Sequence, residues 1–208
     1  MSDHHGPAPF PLRGTWASGA TPDPVTGLLG FPEFYACLPS FLEDRARHGQ
    51  RVGIAIGDVD HLKSFVENTN ATEPGSFGHL AGNALMSTLG RICSSWFHST
   101  TFPFGCVSTF GGDEVIVAAV LNTTTEFATS IAALRDQCRR QLPRPVSFAR
   151  TTIAPRLGTD WRPYAAETLS AVDKALFRRK AARCGTIDDL GFVVGLDEVV
   201  IQDVHPAA

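Results

Sequence analysis

The apolar residues of this chain follow two spacings, one typical of helices and one typical of strands. From residue 31 to residue 48 they recur three and four positions apart, which predicts an amphipathic helix. Pro39 lies inside this segment and is expected to kink or interrupt the helix, because proline has no backbone N–H. The same spacing predicts further helices over residues 79–97, 123–141 and 165–182.

Short apolar runs between these segments are typical of strands. The run VGIAI at residues 52–56 predicts a strand, and the sequence GDVD at residues 57–60 places two carboxylates directly after it. Residues 106–110 and 115–121 predict two more strands, and residues 146–154 predict another. Helices therefore alternate with strands, which indicates a mixed α/β fold.

Polar and glycine-rich stretches separate these elements. Residues 61–67 predict a turn or short helix, and residues 68–77 predict a polar loop. The sequence GGDE at residues 111–114 lies between two strands, which predicts a hairpin whose turn carries two acids. Residues 1–22 have no periodicity and predict a mobile tail, whereas the C-terminal sequence GFVVGLDEVVIQDV predicts two more strands.

Length and composition narrow the class of protein. The chain has 208 residues, enough for one domain with a sizeable core. It is 43% hydrophobic and 19% charged, which is typical of a globular domain. The net charge is −3 and there is no long basic run, so nucleic acid is not an expected partner. The sequence has no apolar run near the roughly 20 residues that span a bilayer, and no secretory signal, so we expect no membrane partner and a cytoplasmic location.

The cysteines do not indicate a metal or redox site. They are scattered along the chain without a CxxC motif, and no histidine is paired with any of them in the sequence. We expect reduced thiols that behave mostly as small buried apolar groups. The five cysteines are Cys37, Cys93, Cys106, Cys138 and Cys184.

Three acids offer candidate chemistry at the ends of predicted strands. Asp58 follows one strand, and Asp113 and Glu114 lie in the hairpin turn. Mg²⁺ prefers oxygen ligands and commonly joins protein carboxylates to substrate phosphates. Gly111 and Gly112 would let a phosphate approach the backbone closely. Taken separately, a DxD sequence after a strand is usually a solvated loop, and a GGDE turn is usually only a hairpin turn.

Five motifs together resemble the GGDEF family, whose catalytic members are diguanylate cyclases. They are DPVTGLLG at 23–30, IGDVDHLKSF at 56–65, GHLAGNAL at 78–85, FGGDEV at 110–115 and DKALFRRK at 173–180. Their order and spacing are similar to those of the family, although valine replaces the phenylalanine of its signature.

The resemblance implies a nucleotidyl-cyclase palm, in which helices flank a mixed central sheet of five strands. It places the GGDEF-like domain at residues 23–186, between the tail at 1–22 and a C-terminal extension at 187–208 that would contain the extra strands. In active members, two domains face each other as a homodimer and each holds one GTP. The 3′-hydroxyl of one nucleotide attacks the α-phosphate of the other, and pyrophosphate leaves.

The resemblance also assigns the metal ligands. Asp58 and Asp113 would coordinate Mg²⁺ or Mn²⁺, with help from the backbone carbonyl of Val59. Glu114 would act as a further ligand or as a proton acceptor near the attacking hydroxyl. Such chemistry depends on charge neutralisation by the metal and on positioning.

Substrate binding would involve both the phosphates and the base. Lys63 and Lys180 are the phosphate-contacting lysines of the motifs. The family binds guanine with an asparagine and an aspartate, and this chain has Val66 and Asn83 at those places. Valine forms no hydrogen bond and an amide is not a carboxylate, so we expect an altered base-recognition pocket. The loop at 68–77, longer than the family's usual link, would either rebuild that pocket or be a neutral insertion.

Other departures from the family pattern concern two arginines, the inhibitory site and dimerisation. Thr109 and Cys184 stand where the family usually has arginines, with Arg183 beside the second. The sequence FPFG at 102–105 replaces the RxxD motif of the inhibitory site, so product feedback is not expected there. We expect no sensory or dimerising domain before the motifs, so a dimer would have to form by itself or with another protein.

Three functions are consistent with these motifs. The intact acids and lysines favour a magnesium-dependent nucleotidyltransferase that acts on GTP or another purine triphosphate and forms a cyclic dinucleotide. The altered base residues favour a degenerate nucleotide-binding module that regulates a partner. A triphosphate hydrolase, in which water is the attacker, is the third.

Overall fold

The computed structural model describes residues 21–182 and 191–196, together with the backbone of Leu12 and Arg13. The helices are α1 (Phe31–Arg47), α2 (Leu62–Thr72), α3 (Leu80–Ser99), α4 (Thr124–Gln141) and α5 (Trp161–Ala182). The strands are β1 (Leu12–Arg13), β2 (Leu29–Gly30), β3 (Arg51–Val59), β4 (Gly105–Phe110), β5 (Glu114–Leu121), β6 (Val146–Ile153) and β7 (Val193–Leu196).

The strands form one mixed sheet in the order β1-β4-β5-β3-β6-β7, and β2 pairs separately with β4. β3 is antiparallel to both of its neighbours, β5 and β6, and β7 is parallel to β6. The five longer strands form the central mixed sheet that the family resemblance implies. The two-residue strands β1 and β2 are an addition to it, both on the outer edge of β4.

Helices cover both faces of this sheet, so the domain has two apolar cores. On one face α3 and α4 pack around residues such as Leu89, Phe97 and Phe127. On the other face α1 and α5 pack around residues such as Phe34 and Leu169. Because β3 is covered on both sides, residues 52–57 are all buried, and this explains why its sequence is continuously apolar rather than alternating.

The sequence predicted a kink or a break at Pro39, and the break is wrong because helix α1 runs through Pro39 without interruption. Proline removes one backbone hydrogen bond, but Phe34, Leu38 and Leu42 on either side of it are completely buried. Packing of this apolar face against the sheet holds the helix together across the proline, since tertiary contacts supply most helix stability.

Two other elements, β3 and α2, end later in the chain than the sequence predicts. β3 continues through Val59, because residues 57–59 keep pairing with their neighbours in the ladder. α2 continues to Thr72, five residues into the predicted polar loop. Side-chain hydrogen bonds stabilise this polar segment: Thr72 Oγ1 donates to Asn68 O, and Asn70 Nδ2 donates to Gly78 O. Composition alone favoured a loop because asparagine and threonine are weak helix formers.

The chain ends are described only in part. Leu12 and Arg13, within the predicted tail, pair with Cys106 and Gly105 of β4, so these two residues are not a free segment. One of the two predicted C-terminal strands is present as β7, and the other lies outside the described residues. Within residues 21–182 and 191–196, no helix is long and apolar enough to cross a membrane.

Three of the four cysteines in the described part of the chain are buried, in agreement with the prediction. Burial raises the pKa of the Cys138 thiol to about 12, and it also raises the pKa of Cys93 and Cys106. These thiols are therefore un-ionised and unreactive at neutral pH. Cys184 lies outside the described residues.

Candidate functional site

The predicted hairpin lies beside the strand that carries Asp58. β5 is antiparallel to β3, and its first residue, Glu114, is the ladder partner of Asp58. The carbonyl of Asp113 accepts a hydrogen bond of 3.1 Å from the backbone N–H of Val59. The three acids therefore lie together at one end of the central strands.

The glycines of the hairpin leave the turn open. Gly111 has φ +64°, a left-handed conformation that favours glycine. No heavy atom lies within 4 Å of the position that a Cβ would take at Gly111 or Gly112. Both residues are exposed, so a bulky anion could approach the backbone of the turn.

The base of the hairpin is held by Thr109, the residue that stands in place of a family arginine. Its hydroxyl is largely buried and donates to the carbonyl oxygen of Glu114 over 3.3 Å. Cys184, which stands in place of the other family arginine, and its neighbour Arg183 lie outside the described residues.

Lys180 reaches Asp58 and Asp60 from the last turn of α5. Its Nζ lies 2.5 Å from Asp58 Oδ1 and 3.0 Å from Asp60 Oδ1. The Lys180 side chain is 25% exposed and that of Asp60 only 11%. The structure thus places a partly buried ammonium between two carboxylates of the GDVD sequence.

Asp60 is fixed on every side. Ser147 Oγ on β6 donates to its Oδ2 over 2.6 Å. Its backbone N–H donates to Pro145 O over 2.9 Å, and its carbonyl accepts from Arg144 Nε over 3.0 Å. The sequence pattern pointed to Asp60 as a strand-end carboxylate but assigned it no role. Ser147 carries no signal in the sequence, because its contact depends on the pairing of β6 with β3.

The cluster carries more negative than positive charge. Burial, and then repulsion by Asp58, Asp173 and Asp113, raise the pKa of Glu114 to about 7. Burial also raises the pKa of Asp58, although the hydrogen bond from Lys180 opposes this. Burial lowers the pKa of Lys180, but the bonds to Asp58 and Asp60 outweigh it and the net direction is upward. The site therefore favours additional positive charge.

The side chains predicted for the base and for one phosphate contact lie on α2 and α3. Lys63 is 89% exposed, and its Nζ lies 3.9 Å from Glu67 Oε1, so its ion pair is with its own helix. Val66 packs against α3, where a Cβ on Gly82 would lie 3.2 Å from Val66 Cγ2. Asn83 follows Gly82 and is exposed. Val66 therefore lies against α3 at Gly82, the residue that precedes Asn83.

The donor set suits a hard divalent cation that is shared with a substrate. Asp58, Asp113 and Glu114 offer only oxygen ligands, and Lys180 already provides a cation against Asp58. Within the described residues, no group of three or more His, Cys, Asp or Glu side chains is arranged to hold a metal by itself. Mg²⁺ characteristically uses one or two carboxylates and completes its shell with water and phosphate oxygens, so the acids fit it.

The fold is similar to that of several solved GGDEF structures. The coiled coil and GGDEF domain of DgcB from Caulobacter crescentus, in complex with c-di-GMP, has a TM-score of 0.65 at 19% identity, over 85% of each chain. The diguanylate cyclase SiaD from Pseudomonas aeruginosa, in complex with its activator SiaC, has a TM-score of 0.64 at 23% identity. That match covers 84% of this chain and 61% of SiaD.

A sensory box/GGDEF family protein from Caulobacter crescentus CB15 is 26% identical, with a TM-score of 0.58 over 78% of this chain and 99% of that one. No curated protein has a significantly similar sequence. The family described as "Diguanylate cyclase, GGDEF domain" matches residues 20–184, which contain all the motifs and the acidic cluster. This chain belongs to the GGDEF domain family.

Proposed function

We propose that this domain binds a purine nucleoside triphosphate with Mg²⁺ or Mn²⁺ and acts on GTP as a diguanylate cyclase-like nucleotidyltransferase that releases pyrophosphate. One observation carries the proposal. Asp58 and Glu114 are ladder partners beside Asp113, and Lys180 contacts Asp58. An excess of half-buried acids at an open glycine turn suits a metal and a phosphate chain.

The residues have separate roles in this proposal. Asp58, Asp113 and the carbonyl of Val59 hold the metal, which when bound neutralises charge on the phosphates. The turn at Gly111 and Gly112 accommodates the phosphate chain. Lys180 neutralises the β- and γ-phosphates, and Lys63 joins it only after leaving Glu67.

Glu114 is the proton acceptor for the attacking 3′-hydroxyl, or a further metal ligand. A general base works best when its pKa is close to the ambient pH. Before any metal binds, burial and neighbouring acids raise the pKa of Glu114 to about 7.

Cyclic dinucleotide formation needs two triphosphates, so a second copy of the chain is the expected partner. Each domain of such a homodimer holds one GTP, and each 3′-hydroxyl attacks the α-phosphate in the other domain. We expect this activity in the cytoplasm, without nucleic acid or a membrane as a partner.

A regulatory nucleotide-binding module is the second candidate, and the base side of the site favours it. Val66 packs against Gly82 with no hydrogen-bonding atom, Asn83 replaces a carboxylate, and Lys63 is paired with Glu67. Guanine donors that lose their acceptors cost about 1–3 kcal/mol each, enough to weaken or alter base binding.

Incubation with each of the four NTPs and Mg²⁺, followed by mass identification of products, tests the proposal. A cyclic dinucleotide and pyrophosphate from GTP are expected. Nucleoside diphosphate and phosphate would indicate a hydrolase instead, and saturable binding without turnover would indicate the regulatory module. Absence of magnesium-dependent triphosphate binding would contradict all three.

A further inference from the structure

The ammonium of Lys180 lies against the carboxylate through which the proposed function holds its metal. At 2.5 Å from Asp58 Oδ1, Lys180 Nζ is closer to that oxygen than to any atom of Asp60. A divalent cation on Asp58 would bring a second positive centre to the same carboxylate. Repulsion between the two cations is strong in a partly buried site, because water screens it poorly.

We propose, resting on the proposed function, that Lys180 competes with the metal for Asp58, and that Asp60 is the positioning residue that keeps the displaced ammonium beside the phosphates. Lys180 thus has two positions, with a different role in each. It neutralises Asp58 when that carboxylate holds no metal, and it serves the phosphate chain once the metal takes Asp58.

The contacts of Asp60 suit it to this role. Its Oδ1 already lies 3.0 Å from Lys180 Nζ, so the ammonium can leave Asp58 without losing its second partner. Ser147 Oγ holds the other carboxylate oxygen at 2.6 Å, and Asp60 is only 8% exposed. A carboxylate held in this way cannot follow a moving side chain, and it therefore acts as a fixed anchor.

The competition couples the metal to the nucleotide. A metal that binds alone must break the bond between Lys180 and Asp58 without compensation. A metal that arrives with a triphosphate brings phosphate oxygens, which both complete its shell and accept the ammonium. Each ligand should therefore strengthen the binding of the other, as any reciprocal coupling requires.

The first test measures Mn²⁺ affinity in the absence of nucleotide, from the loss of the free-ion signal in electron paramagnetic resonance. Lys180→Met keeps the aliphatic stem and removes the charge, and it should tighten Mn²⁺ binding about tenfold or more, because a charge-assisted hydrogen bond no longer has to break. Lys174→Met, an exposed lysine of the same helix, makes the same change in net charge and should shift the affinity by much less. Equal effects of the two variants, an unchanged affinity in Lys180→Met, or no detectable Mn²⁺ binding in any protein would overturn the competition.

The second test concerns Asp60 and uses a double-mutant cycle. Asp60→Asn keeps the size and an acceptor oxygen but removes the anchoring charge, so Mn²⁺ should bind more weakly while Lys180 is present. In the Lys180→Met background, Asp60→Asn should weaken Mn²⁺ binding several-fold less, since there is no ammonium for Asp60 to hold. A purely structural Asp60 would lower the affinity equally in both backgrounds, and that result would refute its positioning role.

The same proteins separate this inference from the proposed function. Affinity for GTP with Mg²⁺ should fall in Lys180→Met although Mn²⁺ alone binds more tightly, and this opposite movement is the signature of the competition. If the wild-type protein binds no triphosphate, the proposed function fails. The competition between Lys180 and the metal is still tested, because the Mn²⁺ affinities of the wild type and the variants are measured without nucleotide.

Discussion

The candidate metal ligands of the site lie on the sheet and its hairpin, whereas the residues predicted for the base lie on two helices. Asp58 pairs with Glu114 on one neighbouring strand and with Ser147 on the other, so its backbone is fixed from both sides. α2, which carries Val66, contributes no fully buried residue, and Lys63 on the same helix is 89% exposed.

Apart from Lys63, which is retained on α2, and Thr109, which is altered on β4, this contrast coincides with the pattern of retained and altered residues. The acids and Lys180 match the family motifs and lie where ladder pairs and buried hydrogen bonds determine geometry. Asn83 is exposed and Val66 is half-buried, so substitution at either costs the fold less than it would inside the sheet. Chemistry at the phosphates can therefore be conserved while base selection changes.

The largest effect on nucleotide affinity is expected from loss of a proposed metal ligand in the hairpin of the sheet. Asp113→Ala removes a proposed metal ligand, so affinity for GTP with Mg²⁺ should fall about 100-fold or more. Titration calorimetry with a non-hydrolysable GTP analogue measures it, and Asp136→Ala on α4 is the matched loss of a carboxylate away from the site. Equal affinity of wild type and a folded Asp113→Ala protein would remove the site assignment.

A second effect concerns the hydrogen bond from Ser147 that holds Asp60. Ser147→Ala leaves the largely buried Asp60 Oδ2 without its hydrogen bond, which should lower the free energy of unfolding by about 1.5–3 kcal/mol. Urea denaturation measures the change, with Ser95→Ala on the exposed face of α3 as the control. A loss no larger than that of the control would mean that the Ser147 bond contributes nothing.

On the base side, a double change should restore selection. Val66→Asn with Asn83→Asp supplies an amide and a carboxylate, so the preference for GTP over ATP should rise about tenfold. Competitive binding of the two nucleotides measures this, and each single variant serves as a control. Unchanged selectivity in the double variant would show that another part of the pocket reads the base.

The smallest expected effect is the pH dependence of Glu114. Its pKa in the folded protein, about 7, lies above the ordinary 4.5, so folding favours its protonated form. This contribution to stability is complete below about pH 4.5 and is lost as pH rises through 7. Without metal, Glu114→Gln should therefore melt at a higher temperature than wild type at pH 8 and at a similar temperature near pH 4.5.

Thermal melts of both proteins in a chelator across this pH range provide the measurement. Glu167→Gln, an exposed glutamate of α5, is the matched control. A constant difference between Glu114→Gln and wild type from pH 4.5 to 8 would contradict the raised pKa.

Local signals were sufficient for most elements. The apolar run from Val52 to Ile56 has the composition of a strand, and Gly111 provides the left-handed turn that a hairpin needs at that place. Their physics acts over a few residues, so the pattern along the chain predicts them. Pro39 and the polar end of α2 were misjudged because packing and side-chain bonds from more distant residues outweighed local propensity.

The sequence by itself determined the order of helices and strands, the GGDEF motifs and the presence of acids at the strand ends. Only the tertiary structure decided how these acids are partnered. Lys180 reaches Asp58 across 122 positions and Ser147 reaches Asp60 across 87, through the docking of α5 and the pairing of β6 with β3. Such contacts depend on where whole elements pack, so no spacing along the chain could have predicted them.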